Sequence, residues 1–553
     1  MKPQTRLITT KLAMVLATAV LVVALSFNHA LSAGDQVLRL ANKYGDAKSL
    51  DAHRATGSQD RLIVGLVFNG LVCYQPGNLS VDAIIPDLAT EIPTPKVLAD
   101  GRQQWLFKLR QGVMTHPYDG NPGYELTSED VVYSLQRAAD PKRSSFAVDY
   151  SGMTFEAPDK YTVQVTLDQP ISAFLFLPKF ANRGGGLIVP KKALEDKGDD
   201  WFKTHPVGTG PFVFKEYIPG EKVVLTRFDK YFKGTPKLDG VVWYYMPSDS
   251  SRELALQKGE LQVIEGPKEQ AWAEKVASYP GVVVDSPNSA ETIIAHFNMT
   301  VKPLDQLKVR QAIAYAISRK EFVAVYGPKV SSPIYGVAPV GRMIAGLSRE
   351  EAAKENLVFE QNLDKAKSLL AEAGYPNGFS LEVFTSESAT YRRAYELLQA
   401  QLRKIGIDIK LSVVDHSTFH ARIRQNLDPI VFYAAMRPNP DVILTQFYLS
   451  DSIVVTGKKA ITNFSHIGEV DADGDGQIDS LDDLIVRARL EQDSTKQVAL
   501  WKEAQLELLR KMVSYPVITI GYIFARSPKV DWGYEMKTIT DGPNPTEKTR
   551  LLP

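Results

Sequence analysis

The chain has 553 residues with 64 basic and 64 acidic side chains, so its formal net charge is zero. This balance gives no sign of the basic surface of a nucleic-acid-binding protein, and no nucleic-acid partner is expected. The length is too great for a single hydrophobic core, which predicts two or three domains. The one cysteine, Cys73, excludes a disulfide bond within the chain and is expected to be a small buried hydrophobe.

The N-terminus has the layout of a cleavable secretory signal. Lys2, Arg6 and Lys11 precede a largely apolar run from Leu12 to Phe27. Cleavage is expected after Ala33, which removes three basic residues and no acidic one and leaves 61 basic against 64 acidic residues, a formal charge of −3. An uncleaved membrane anchor is the alternative, but a spanning helix needs about 20 apolar residues. No cysteine directly follows the run, so the sequence predicts a periplasmic protein that is not a lipoprotein.

Strand and helix patterns alternate along the rest of the chain. Apolar residues at every second position predict strands, and apolar residues on one helical face predict helices. In chain order, the patterns predict a strand at Val37–Asn42, a helix at Asp60–Leu71, a helix at Ser128–Arg137, a strand at Tyr161–Leu167, a helix at Tyr391–Ile405 and a strand at Ile407–Val413. Gly406 separates the last two, and this helix-glycine-strand unit indicates an α/β fold.

The most informative stretch of the chain is His205–Asp239. Gly208–Pro211 predicts a tight turn, and strand patterns on both sides of Pro219-Gly220 predict a β-hairpin. The complete stretch resembles the signature region of the large periplasmic solute-binding proteins of peptide and nickel ABC importers, the oligopeptide/dipeptide-binding family (family 5). That family has a Gly-Thr-Gly-Pro turn, a hairpin and then an Asn/Asp-x-x-Tyr-(Phe/Trp) element, to which Asp229–Phe232 is similar.

Further segments resemble elements of the same family in the same order. They are Trp105–Val113, Leu126–Val131, Trp243–Tyr245, Ala255–Val263, Leu307–Ile317 and Ala366–Tyr375. The resemblance implies an α/β fold of the three-lobed periplasmic binding protein type (class II, large cluster), in which two α/β lobes are joined by a hinge and an extra domain is added. Ligand would close the lobes, because contacts to both sides exist only in the closed form.

The resemblance also implies how the chain is divided. Residues 1–33 are the signal peptide, and the three domains that follow are domain I (34–75, 206–290 and 516–553), domain II (76–205, inserted in domain I) and domain III (291–515). The hinge is expected where the chain crosses between domains I and III, near residues 290–298 and 514–520.

The implied function is that of the periplasmic substrate-binding component of an ABC importer. Such a protein captures a peptide or similar small polar solute between its lobes and delivers it to inner-membrane permease subunits; it is expected to be a monomer and not an enzyme. One alternative is an anionic non-peptide solute, namely an opine, an oligosaccharide or a sugar-phosphate. A secreted hydrolase is less favoured, because the sequence has no Gly-x-Ser-x-Gly elbow, His-Glu-x-x-His helix or P-loop. Eight scattered histidines disfavour nickel.

Loop positions that match the family's pocket supply the candidate ligand-binding residues: Thr56, Gly57, Ser58, Gln59, His416, Phe419, Tyr433, Met436, Arg437 and Asp441. In many peptide-binding members, an acidic residue in the corresponding segment holds the amino group of the peptide. Met436 takes that place here, and Asp441, the nearest acid, also suits a helix cap. Arg437 could pair bidentately with a ligand carboxylate or phosphate, and a structural salt bridge or a solvated arginine is the alternative.

The loop at residues 471–482, which looks like an insertion in domain III, predicts a metal site independently of the family. Oxygen ligands stand at positions 1, 3, 5, 7, 9 and 12 of an EF-hand-like calcium loop, namely Asp471, Asp473, Asp475, the Gln477 carbonyl, Asp479 and Asp482. Gly476 stands at position 6, where the loop turns sharply. Five carboxylates this close would repel one another without a cation. We therefore expect a structural Ca²⁺, and a solvated Asp/Gly turn without an ion is the alternative.

Overall fold

The computed structural model describes residues 36–181, 184–287, 291–455, 462–539 and 541–553. The predicted signal peptide, residues 1–33, lies outside the described residues. Within them, no helix combines the length and the apolar character that crossing a membrane would require.

Strands and helices alternate over the described part of the chain. Strands β1–β21 are Val37–Asn42, Val72–Tyr74, Ile84–Pro86, Lys96–Val97, Gln103–Lys108, Met153–Asp159, Thr162–Leu167, Phe212–Ile218, Lys222–Arg227, Gly240–Tyr245, Val263–Glu265, Val283–Asp285, Glu291–Phe297, Ser331–Pro333, Ser380–Ser386, Asp408–Val414, Ile430–Met436, Ser514–Ile520, Phe524–Arg526, Val530–Asp531 and Arg550–Leu551. The β1 strand has the bounds that its sequence pattern predicts.

Helices α1–α15 are Ser58–Val67, Ser128–Ala139, Ala173–Phe176, Lys191–Phe202, Asp249–Gln257, Gln270–Ala277, Leu307–Ala316, Arg319–Tyr326, Arg349–Lys354, Leu363–Glu372, Ala389–Arg403, His416–Arg422, Pro440–Tyr448, Asp482–Leu490 and Ser494–Arg510. Short 3₁₀ helices are Val81–Ala83, Ala147–Tyr150, Leu177–Phe180, Gly184–Gly186, Ile423–Gln425 and Ser450–Ser452. The predicted helix from Ser128 is confirmed, with Thr127 at its N-cap position.

The largest sheet has seven strands in the order β12-β19-β11-β1-β10-β9-β8. Its central strand β1 runs parallel to β10 and β11, and β8 and β9 form the hairpin that the sequence predicts. Gly208 must be glycine, because a Cβ there would lie 2.1 Å from the Val67 carbonyl oxygen. The Gly-Thr-Gly turn therefore packs directly on the end of α1.

The α1 helix ends four residues before its predicted end at Leu71. Phe68 adopts extended backbone (φ −117°, ψ 159°), which terminates the helix. The Gly210 N–H donates to the Val67 carbonyl at 2.8 Å and satisfies one of the carbonyls that the helix end leaves free. The apolar pattern continues past Val67 because Leu71 belongs to a different buried cluster.

Two further sheets have four strands each, β4-β5-β7-β6 and β14-β18-β13-β17. The first is antiparallel, and its buried Trp105 stacks on Phe176 with ring centroids 4.0 Å apart. In the second, β13 and β18 pair antiparallel. These are the two segments at which the sequence places the hinge, and the hinge stays a prediction.

The predicted helix-glycine-strand unit is present as α11, Gly406 and β16, and β16 pairs parallel with β15. Gly406 has a φ of +88°, in the left-handed region that favours glycine. The predicted domain boundaries also stay a prediction. Among the contacts that cross them is a buried hydrogen bond. The Ser172 hydroxyl, in predicted domain II, donates to the Gln497 side-chain oxygen, in predicted domain III, at 2.7 Å, and both side chains are buried.

Candidate functional site

A cleft of about 470 Å³ lies where segments of all three predicted domains meet. Its charged and polar lining comes from distant parts of the chain: Arg61 in α1, Asp149 and Lys179 in two 3₁₀ helices, Arg342 in a loop after β14, Arg437 and Asn439 after β17, and Thr538 near the C-terminus. A cavity of this volume is in the range of small-molecule sites.

Basic side chains outnumber acidic ones in the wall of the cleft. Arg61, Lys179, Arg342 and Arg437 line it, and among the described residues Asp149 is the one carboxylate in the lining. Water-poor surroundings strengthen the attraction between these groups and a bound anion. The cleft is therefore electrostatically suited to a negatively charged ligand.

Burial lowers the pKa of three of these basic groups. Desolvation lowers the pKa of Lys179 and that of Arg437, and it lowers the pKa of Arg342 to about 10. The protein removes part of the hydration of these positive charges, which raises their free energy. An anion bound beside them offsets this desolvation penalty, and an uncharged ligand leaves it in place.

Arg61 is held by the loop that precedes α1. Its guanidinium donates to Asp541 Oδ2 at 2.9 Å, to the Thr56 carbonyl, and to Ser58 Oγ at 3.4 Å. None of the four predicted residues Thr56–Gln59 is among those that line the cleft. The predicted loop thus positions a cleft residue that the sequence did not single out, and Asp541 compensates the charge of Arg61.

Arg437 follows the last residue of β17 and enters the cleft as the sequence suggests. Its Nε donates to Gln446 Oε1 at 2.5 Å, and one Nη donates to the Met436 carbonyl at 3.0 Å. The guanidinium carbon lies 5.2 Å from the centre of the Phe447 ring. Within the described part of the chain, no carboxylate forms an ion pair with Arg437, so the structural salt bridge considered as an alternative is not present there.

Met436 also lines the cleft, but Asp441 does not. Asp441 lies in the first turn of α13, and its Oδ1 accepts from Arg489 Nε at 3.1 Å. The side chain of Asn439 caps the helix instead, because its Oδ1 accepts from the Val442 N–H at 3.0 Å. Asp441 is therefore neither the cap nor a group that faces the cleft.

The remaining predicted ligand contacts also lie away from the cleft lining. Phe419 is fully buried in the hydrophobic core. His416 is exposed on α12, with Nδ1 2.9 Å from Ser386 Oγ, and the Tyr433 hydroxyl accepts from Arg424 at 3.2 Å. These side chains stabilise the neighbourhood of β17, from which Arg437 extends.

The acidic loop brings three of its six predicted ligands together. Carboxylate oxygens of Asp471, Asp473 and Asp479 lie within 4.8 Å of one another. The Lys511 ammonium group reaches this group too, at 2.5 Å from Asp473 and 2.5 Å from Asp479. Gly476 has a φ of +89°, as the sharp turn at position 6 requires.

Two of the other three predicted ligands, Asp482 and Asp475, have different partners. Asp482 accepts from the Ser450 N–H at 2.9 Å and from the Ser450 hydroxyl. Asp475 Oδ1 accepts from the Gln477 N–H at 2.8 Å. The donor set that fits a calcium ion in this arrangement is therefore the group of three carboxylates, with Lys511 as a competing cation.

Comparisons with known proteins agree with this architecture. The family described as bacterial extracellular solute-binding proteins, family 5, matches residues 83–453. The glutathione-binding protein GsiB of Salmonella paratyphi A is 30% identical over 393 residues, 70% of this chain and 70% of that protein. The structure of MoaA from A. tumefaciens R10 in complex with mannopinic acid is 35% identical, with a TM-score of 0.72 over 94% of this chain and 100% of that chain. That of Helicobacter pylori DppA in complex with peptide STSA is 26% identical, with a TM-score of 0.69 over 93% and 98% of the chains.

The chain belongs to the bacterial extracellular solute-binding proteins of family 5, since the family matches more than half of its length. It is the substrate-binding component of an ABC importer. The predicted multi-domain α/β architecture of periplasmic binding proteins is confirmed. The relatives named above are binding proteins.

Proposed function

We propose that the protein binds a small anionic solute, such as an opine, and delivers it to the permease subunits of its importer. The observation that carries this proposal is the excess of basic side chains in the cleft, where Lys179, Arg342 and Arg437 have Asp149 as their one acidic neighbour in the lining. A guanidinium group binds carboxylate bidentately, which gives both affinity and orientation. The similarity to MoaA, whose structure contains mannopinic acid, supports the same class of ligand.

A ligand with a free peptide amino group fits the cleft less well. Met436 stands where an acidic residue would hold that group, and Asp441 is engaged by Arg489. An ammonium group placed beside Arg437 would meet a like charge in a partly desolvated site. Glutathione remains compatible, because its two carboxylates give it a net negative charge.

The protein is exported by its cleavable signal and acts in the periplasm as a monomer without a lipid anchor. The basic start, the apolar run and the small residues before position 34 support this proposal. Binding leaves the solute chemically unchanged, so ligand recovered after incubation should have its original mass.

Isothermal titration calorimetry on the ligand-free mature protein tests the ligand class. The panel consists of mannopinic acid, glutathione and the tetrapeptide Ser-Thr-Ser-Ala, one ligand for each of the relatives above. We expect mannopinic acid or glutathione to bind at least tenfold more tightly than the tetrapeptide. Tighter binding of the tetrapeptide than of both anions would contradict the proposal.

A structural calcium ion at the acidic loop is a further part of the proposal. The spacing of the acidic residues and the convergence of Asp471, Asp473 and Asp479 support it. The ion would hold these three side chains, displace the Lys511 ammonium group and fix the loop before α14. Its role would be structural, because the loop contributes nothing to the lining of the cleft.

Thermal unfolding with millimolar CaCl₂ or with EDTA tests this site. We expect Ca²⁺ to raise the Tm of the wild-type protein, and Asp473→Asn to abolish the increase. Asp483→Asn is the matched control, because Asp483 is an exposed acid just outside the loop, and it should leave the increase intact. A wild-type Tm that is the same in calcium and in EDTA would leave the loop as a turn paired with Lys511.

A further inference from the structure

Two histidines come together on the short helix α12. His416 and His420 are four residues apart in sequence, so both side chains lie on the same face of the helix. Their ring centroids are 4.5 Å apart, and the ring planes are perpendicular. His416 is exposed and His420 is half-buried, so the pair is open to solvent. Four of the other described histidines are buried, namely His53, His116, His296 and His466.

The spacing of this pair is one that binds transition metals. Two histidines at positions i and i+4 on one helical face hold Zn²⁺ in metalloproteases. Two metal–nitrogen bonds of about 2.1 Å span at most about 4 Å, and rings whose centroids are 4.5 Å apart can place one nitrogen each within that span. Imidazole nitrogen is a ligand that suits Cu²⁺, Ni²⁺ and Zn²⁺, whereas Ca²⁺ and Mg²⁺ prefer oxygen.

The hydrogen bonds of His416 leave one of its ring nitrogens available. Its Nδ1 lies 2.9 Å from Ser386 Oγ. That hydroxyl oxygen accepts from the Ser388 N–H at 3.0 Å, and its second lone pair can accept from His416 Nδ1–H. The lone pair of the neutral imidazole is then on Nε2, which has no hydrogen-bond partner within the described part of the chain. A bond of this kind on the other ring nitrogen orients metal-binding histidines in many proteins.

His420 is held in its neutral form. Burial lowers the pKa of His420 to about 4, and the charges of His416 and Arg424 act in the same direction. Since a metal ion binds the deprotonated ring, no proton has to be displaced at neutral pH. The ring is packed edge-to-face against Tyr391 and Tyr433, with centroids 5.7 and 5.8 Å away. These contacts fix the position of the ring before any ion binds.

Two charged groups flank the pair on the same segment. Asp415, the N-cap residue of α12, supplies a negative charge next to His416. Arg424 supplies a positive charge next to His420, because its Nη1 donates to the His420 carbonyl at 2.7 Å and lies 3.5 Å from His420 Nδ1. The two charges act in opposite directions on a bound cation. Affinity at this place therefore depends on bonds to the two imidazole nitrogens.

We propose that His416 and His420 form a binding site for a late first-row divalent metal ion, with water completing the coordination. Cu²⁺ should bind most tightly, because sites with nitrogen ligands prefer it to both Ni²⁺ and Zn²⁺. Neither histidine lines the ligand cleft or belongs to the group of three carboxylates in the acidic loop. The metal site is therefore separate from both, and it does not depend on which solute the cleft binds.

Titration of CuCl₂ into the untagged mature protein, followed by calorimetry and by electron paramagnetic resonance, tests the site. We expect one tight site whose spectrum shows splitting from two nitrogen ligands. His416→Gln and His420→Gln should each weaken Cu²⁺ binding at least tenfold and remove this splitting. His205→Gln is the matched control, because His205 is exposed and its ring contacts Trp201 and Phe214 instead of a second histidine. This control should bind Cu²⁺ as tightly as the wild-type protein.

Two results would overturn the inference. The first is wild-type affinity for Cu²⁺ in both glutamine variants. The second is a spectrum that shows oxygen ligands alone at one equivalent of Cu²⁺, because carboxylates would then hold the ion. Far-UV circular dichroism confirms that each variant is folded, and His416→Gln decides the result if the half-buried His420 does not tolerate replacement, since His416 is exposed. Zn²⁺ should bind more weakly than Cu²⁺ and lose affinity in the same variants.

Discussion

Replacing Arg437 by alanine removes the cleft cation that the sequence and the structure both single out. The side chain enters the cleft from the end of β17, and its partners are Gln446, the Met436 carbonyl and the Phe447 ring. All of these partners are uncharged, so the positive charge is available to a ligand. The variant should therefore lose affinity for an anionic ligand without disrupting an internal ion pair.

The size of the loss follows from the surroundings of the guanidinium group. Removing one partner of a charge-assisted pair in a partly buried site costs about 2 kcal/mol. Since about 1.4 kcal/mol corresponds to a factor of ten, the Kd should rise about thirtyfold. Lys179 and Arg342 stay in the cleft, so binding is weakened and not abolished. Arg437→Lys keeps the charge but loses the forked geometry, and we expect an intermediate Kd.

Calorimetry with mannopinic acid measures both variants, and far-UV circular dichroism confirms that each is folded. Arg424→Ala is the control, because Arg424 is a nearby basic residue that bonds to Tyr433 and does not line the cleft. Its Kd should stay within about twofold of the wild-type value. A wild-type Kd in Arg437→Ala would refute the assignment of this residue to the ligand's anion.

Three further predictions concern stability and lobe closure. Burial lowers the pKa of His296 to about 3, so between pH 6.5 and 3 only the unfolded state binds a proton at this side chain. The free energy of unfolding should therefore fall by about 1.4 kcal/mol for each pH unit of acidification in this range. In His296→Phe, the urea concentration at the unfolding midpoint should depend less steeply on pH. Asp441→Asn leaves the half-buried Arg489 without its ion pair, so Tm should fall while the Kd of the ligand stays unchanged; a weaker Kd would return Asp441 to the site. Ser172→Ala removes a hydrogen bond between predicted domains II and III. It should weaken ligand binding about fivefold, by about 1 kcal/mol, without changing the ligand's contacts. An unchanged Kd would show that the bond does not contribute to closure.

Local features of the fold could be predicted because neighbouring residues determine them. The hairpin after Gly210 and the unit around Gly406 depend on turns whose backbone conformation only a few residue types adopt. The end of α1 could not be predicted in this way. The apolar pattern continues to Leu71, but the helix ends at Val67. At that end it packs against the turn at Gly208, which is distant in sequence.

Most of the basic residues that line the cleft could not be predicted from the sequence. Arg437 can be predicted from the sequence because it lies beside the position where many family members have an acid. Lys179 and Arg342 stand in segments with no motif and meet Arg437 only in the folded chain. Arg61 also stands in a segment without a motif, in the first turns of α1. The loop position of Phe419 predicts a ligand contact, yet its side chain belongs to the core. Position along the chain indicated the region of the site but not the direction of each side chain.

The measurement that tests the central claim most directly is mass spectrometry of the small molecules released when the mature protein, purified from its native periplasm, is denatured. The account predicts one dominant small anionic species, such as an opine or glutathione. A ladder of short peptides would contradict it, because Met436 and Arg437 occupy the position at which an acidic residue would hold the amino group of a peptide.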